Sequence, residues 1–127
     1  MLTISKTLGW CLNAVEHAAE IAEIIEEKDR SLSPGDLAKL QKIYAVTGRI
    51  QRNISMYESL DAPDLVVPFD EGSCYDDTAS SLQTALRGFH AVYAIVPTFL
   101  IEDTIRAVES IRLPERFEEM LAEVWGK

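Results

Sequence analysis

Ile4, Leu8, Cys11, Val15, Ala18, Ala22 and Ile25 follow one another at spacings of 4-3-4-3-4-3, the recurrence of side chains on one face of an α-helix. A second row, Trp10, Ala14, His17, Ile21 and Ile24, runs beside the first. Only the stripe through Lys6, Gly9, Asn13, Glu16, Glu20, Glu23 and Glu27 is free of large apolar groups. The pattern predicts a helix over about 3–29. A surface helix normally carries an apolar stripe a little over about 100° wide, and here more than half of the circumference is apolar. Such a helix belongs either at the centre of a bundle or beneath a second copy of the chain.

The next restart is written in capping chemistry. Ser33 is a helix N-cap residue, Pro34 fits the first helical position, Asp36 stands three residues after the cap, and Leu32 and Leu37 are spaced for a hydrophobic staple. A second helix is predicted over about 34–60, with Leu37, Leu40, Ile43, Tyr44, Ile50, Ile54 and Tyr57 inward and Lys39, Lys42, Arg49 and Arg52 on its polar side. The short turn implies an antiparallel hairpin. In that register Lys39 and Lys42 come level with Glu27 and Glu23, and Arg49 with Glu16, which predicts a glutamate ridge meeting a basic ridge.

Residues 61–77, DAPDLVVPFDEGSCYDD, interrupt the helical period with two prolines and a glycine, and hold six acids and no base. VVPF reads as extended chain, with Pro68 arguing against a sheet strand. Helical period returns from about 77, where Asp76 or Asp77 can serve as N-cap, and Leu82, Leu86, Phe89, Tyr93 and Val96 share a face. Pro97 kinks or ends that helix. Ile101, Ile105, Val108 and Ile111 continue the pattern, and Phe117, Met120, Leu121 and Val124 line a last short helix after Leu113-Pro114. The fold class is therefore all-α. The expectation is a single domain over 1–127, a bundle of four to five helices: an N-terminal hairpin (about 3–60), an acidic linker (61–77) and a second helical half (about 78–125). The breadth of the first apolar face makes a homodimer the expected assembly.

Composition supports a globular chain, with 47% apolar and 26% charged residues. The net charge of −9 is unevenly spread: residues 1–60 carry seven basic and eight acidic side chains, and residues 61–127 five basic and thirteen acidic. Such acidity repels phosphate backbones and disfavours nucleic-acid binding, while it suits a protein partner with a basic surface. Two cysteines, Cys11 and Cys74, make no disulfide framework, which points to a reducing compartment. The N-terminus lacks the layout of a signal peptide. The longest uncharged run, residues 88–101, is too short for about 30 Å of hydrocarbon. Cytoplasmic placement, away from membranes, is the expectation.

Catalytic motifs are scarce. Phosphate-cradling glycine loops, HExxH, EF-hand and GxSxG patterns are absent from the sequence. Among the carboxylates, Glu20-x-x-Glu23 and Glu58-x-x-Asp61 each place two acids on one helix face, an arrangement that binds divalent cations. The combination resembles the ExxE and ExxD helices of the all-α nucleoside-triphosphate pyrophosphatases, which hold magnesium between carboxylates. That resemblance implies a Mg-dependent nucleotide enzyme using Glu20, Glu23, Glu58 and Asp61, and it covers less than half of the chain. The lysine-rich continuation that would grip phosphates is missing.

The remaining candidates read mostly as structure. His17 can pair with Glu20 one turn on, and its His-x-x-Glu order is the reverse of the Glu-x-x-His pairs of di-iron bundles. Arg87 and His90 form one Arg/His pair, too little for a nuclease site. Cys74 lies among Asp70, Glu71, Asp76 and Asp77, whose charges suppress a thiolate, and Cys11 reads as core. The loop DEGSCYDD offers oxygens but lacks a known calcium-loop spacing. Its display of Asp70, Glu71, Tyr75, Asp76 and Asp77 fits recognition of a basic partner. Met56, Met120, Trp10 and Trp125 fall at helical spacing and are expected in the core. The function expected is a non-enzymatic protein-interaction module, binding, inhibitory or chaperone-like, of a kind that phages and mobile elements encode. It has no cofactor. The alternatives are the Mg-dependent enzyme and an acidic mimic that occupies a nucleic-acid site on another protein.

Overall fold

A computed structural model describes residues 2–69 and 77–125. Five helices and a two-residue ribbon occur in the order β1 (Leu2–Thr3), α1 (Ile4–Lys28), α2 (Pro34–Glu58), β2 (Val66–Val67), α3 (Thr78–Ile95), α4 (Phe99–Glu109) and α5 (Phe117–Trp125). The chain is an all-α bundle, as its periodicity predicts.

The caps show why the helices begin where they do. Ser33 Oγ accepts from the Asp36 N–H at 3.1 Å, with Pro34 at the first helical position. Asp77 accepts from Ser80 N–H at 2.8 Å and Thr98 from Ile101 N–H at 3.2 Å, each satisfying a helix N–H that has no partner within its helix. Pro97 falls in the break between α3 and α4, where it cannot donate to the preceding turn.

The helices form a ring in which α1 packs on α2 and α3, and α4 packs on the same two from the opposite corner. Neighbours run antiparallel. Tyr44 Oη donates to Glu26 at 2.6 Å and Gln51 Nε2 to Glu16 at 2.8 Å, which sets the α1/α2 register. On α2, Arg49 and Asn53 reach Asp103 of α4. Gly88 of α3 lies against Cys11 of α1. The fifth helix closes the remaining side of α1. Every member of the 4-3-4-3-4-3 row is buried, and full burial of a side chain such as Leu8 or Ile25 stabilises by roughly 1.5–3 kcal/mol. Three helical neighbours within one chain cover the broad apolar circumference of α1, so the central-helix alternative accounts for it.

Several expectations are corrected. Residues 66–67 do form a strand: Leu2 pairs with Val67 and Thr3 with Val66, antiparallel. Pro68 lies one residue beyond the pairing, where its missing N–H costs nothing. The ridge-to-ridge ion pairs do not form among the described residues. Arg49 turns away from Glu16 to Asp103, and Glu16 takes the neutral Gln51. Met56 and Trp125 are exposed, not core. Met56 shares an α2 row with Arg49 and Asn53 at the outer edge of the α2/α4 seam, and Trp125 ends α5 beyond its buried row of Phe117, Met120 and Val124.

Candidate functional site

The acidic linker proves partly structural. Ser5 N–H donates to Asp64 Oδ1 at 2.9 Å and Ile4 N–H to the Leu65 carbonyl at 2.8 Å, so the start of the linker folds back onto the N-terminus of α1. A carboxylate there meets the positive end of the helix dipole. Asp77 caps α3, and its hydrogen bonds from Ser80 hold its carboxyl below the usual range. Asp70, Glu71, Tyr75 and Asp76, with Cys74, lie outside the described residues.

The four carboxylates of the magnesium alternative are not brought together. Glu58 lines a small cavity with Ile4 and Ser5 at the start of α1. Asp61 makes the turn after α2 with φ of 55°, a left-handed conformation that aspartate tolerates better than most residues. Glu20 and Glu23 lie about 15 residues farther along α1, roughly 22 Å at 1.5 Å per residue. Among the described residues no group of three or more His, Cys, Asp or Glu side chains is placed to hold a metal ion.

Two features were invisible in the sequence. Asp103 accepts from Arg49 Nε at 2.8 Å, from the Arg49 terminal nitrogen, and from Asn53 Nδ2 at 2.8 Å, while Asn53 also reaches Thr104 Oγ1 at 3.2 Å. The Arg49 hydrogen bonds, then that of Asn53, lower the Asp103 pKa to about 2. This polar clamp joins α2 to α4. Near the start of α1, the buried Tyr57 hydroxyl has no hydrogen-bond partner among the described residues. Burial and the Asp64 charge raise its pKa. Cys11 is a neutral core thiol, its pKa pushed up to about 12 by burial.

The surface feature of greatest chemical interest lies between α1 and α5. Burial of Phe117, Met120 and Val124 turns Leu121, Ala122 and Trp125 toward His17 and Ile21, leaving an open cleft of about 420 Å³. Trp125 is 67% exposed. Glu118 borders the cleft, one carboxylate oxygen accepting from Thr78 N–H at 2.7 Å. On the other side His17 stands 3.8 Å from Glu20, both well exposed. Glu23 and Glu27 continue the acidic ridge, and among the described residues no Lys or Arg forms an ion pair with Glu20, Glu23 or Glu27. Arg116, the residue before α5, is held by Glu119 and Glu123, each at 2.8 Å. Among the described residues no helix is long and apolar enough to cross a membrane. No protein-family model, curated protein sequence or solved structure matches this chain.

Proposed function

We propose that the protein is a small cytoplasmic helical module that binds a partner protein with a basic surface, to inhibit or chaperone it, without catalysis of its own. The observation that carries this reading is the exposure of large apolar side chains on a chain that otherwise buries its helical faces well. Met56, Leu60, Leu65, Val66 and Phe99 are all exposed, Phe99 to 75%. The antiparallel ring gathers them at one end of the bundle, where α2 finishes, α4 begins and the linker returns to α1. Apolar residues collected in this way are associated with interaction surfaces. The same end is where a second copy would pack in a homodimer.

Asp70, Glu71, Tyr75, Asp76 and Asp77 belong to the proposal as a recognition loop, supported by six acids and no base across residues 61–77 and by the dual use of Asp77 as cap and surface charge. The test is affinity capture from native lysate. The partner retained by the wild-type chain should be lost when Asp70, Asp76 and Asp77 become Asn and Glu71 becomes Gln. Retention by that variant moves the site to a helix face, and failure of the wild-type chain to retain any partner ends the reading. Sedimentation of the wild type against Phe99→Asp tests the homodimer, which should dissociate in the variant.

A further inference from the structure

We infer that the cleft between α1 and α5 docks a basic amphipathic helix of a partner protein, an inference that rests on the interaction-module reading and adds to its loop a second contact surface with a stated partner chemistry. The floor is apolar: Ile21, Leu121 and Ala122, with the indole of Trp125 at one side. This geometry accepts one large aliphatic or aromatic side chain of the partner, and exposed Trp residues are favoured anchors in such contacts. The rim decides the rest of the partner. Glu118 stands on the α5 side, and Glu20 opens a row that Glu23 and Glu27 extend along α1, none of the three ridge acids paired with Lys or Arg among the described residues. An apolar anchor flanked by Lys or Arg at helical spacing meets both features at once, as in helix-in-groove recognition. Complementary charge steers such a partner and fixes its register.

A second copy of this chain fits the cleft less well. A two-fold symmetric contact brings identical surfaces together, so the glutamate ridge of each copy would face that of the other. The occupant is therefore a basic helix from a different protein.

The probe is a synthetic Leu/Lys amphipathic helix of about 14 residues, titrated into the full chain by calorimetry. The comparison ligands are a scrambled peptide of the same composition and an oligolysine of equal charge. The amphipathic peptide should bind, and Trp125→Ala should weaken it about tenfold. Ala122→Lys, at an exposed position that leaves the core untouched, should fill the cleft with a like charge and abolish binding. Glu20→Gln should weaken binding about threefold at roughly 0.05 M salt, with the difference shrinking by about 0.5 M. Equal affinity for oligolysine or the scrambled peptide overturns the inference, as does wild-type affinity in both cleft variants. Self-association that Trp125→Ala abolishes overturns it in favour of a second copy. The two readings separate in the lysate: a natural partner that survives both cleft variants refutes the cleft and leaves the interaction module standing, whereas a wild-type chain that captures nothing refutes the module itself.

Discussion

Replacing Gly88 by Ala would build a Cβ into a close approach of α3 to α1. That atom would overlap Cys11 Sγ and sit 3.1 Å and 3.2 Å from two carbons of the Phe69 ring. Cys11, Gly88 and Phe69 are all buried, and Phe69 is itself braced edge-on against Trp10 at a centroid distance of 5.5 Å. Neither neighbour can move aside freely. Overpacking of this kind costs about 1–3 kcal/mol, and the helix preference of Ala over Gly returns about 1 kcal/mol. The expected net effect is therefore a loss of up to about 2 kcal/mol. Gly9 supplies the control, because it too lies inside a helix but a Cβ there meets nothing within 4 Å, so Gly9→Ala should gain about 0.5–1 kcal/mol. With an unfolding entropy of about 2.1 cal/mol/K per residue over 127 residues, each kcal/mol moves Tm by about 4 °C. Urea unfolding with an unchanged m-value reads the same differences. In a Cys11→Ala background, which removes the sulfur, Gly88→Ala should cost at least about 1 kcal/mol less than it does alone. A Gly88→Ala protein as stable as Gly9→Ala would refute the close approach, and with it the α1/α3 packing described above.

The Asp103 clamp carries a pH signature. Its folded pKa of about 2 lies below the unfolded value of about 3.9, so its contribution is fully present above about pH 4 and fades as pH falls toward 2. Arg49 is half exposed and water screens the pair, so Asp103→Asn should cost only about 1–2 kcal/mol at pH 7. The gap from wild type should close between pH 4 and 2 in urea titrations, and a pH-independent gap would contradict the assignment. Tyr57→Phe removes a buried hydroxyl that has no partner among the described residues. It should leave stability unchanged or raise it by up to about 1 kcal/mol, and a clear loss would show that the hydroxyl is hydrogen-bonded.

Local rules made much of this fold legible from sequence. The 3.6-residue period placed every helical segment, because each must bury one face, and left open only whether Pro97 kinks one helix or divides two. Ser33-Pro34 and Pro97 marked a start and a stop through backbone chemistry that acts within one turn. The apolar breadth of α1 correctly demanded several neighbours, and α2, α3 and α5 of the same chain supply its cover. What failed were statements about partners across the fold. Arg49 was level with Glu16 in the hairpin, yet Asp103 arrives from α4, 54 residues away, and offers a bidentate, less exposed site. Asp64 read as one more linker acid until the chain's return to Ile4 and Ser5 made it a helix cap. Glu20 and Glu23 matched a metal-binding spacing, but the register of the hairpin put Glu58 and Asp61 at the other end of α1.

The cleft beside Trp125 had no sequence signal, since a helical apolar residue reads the same whether it is covered or left bare. By itself, then, the sequence determined which segments are helical, where they begin and which faces are apolar, because those properties depend on residues within a turn or two of each other. Only the tertiary structure decided which apolar faces stay uncovered and which charges stay unpaired, because both depend on how distant helices share a finite amount of neighbouring surface.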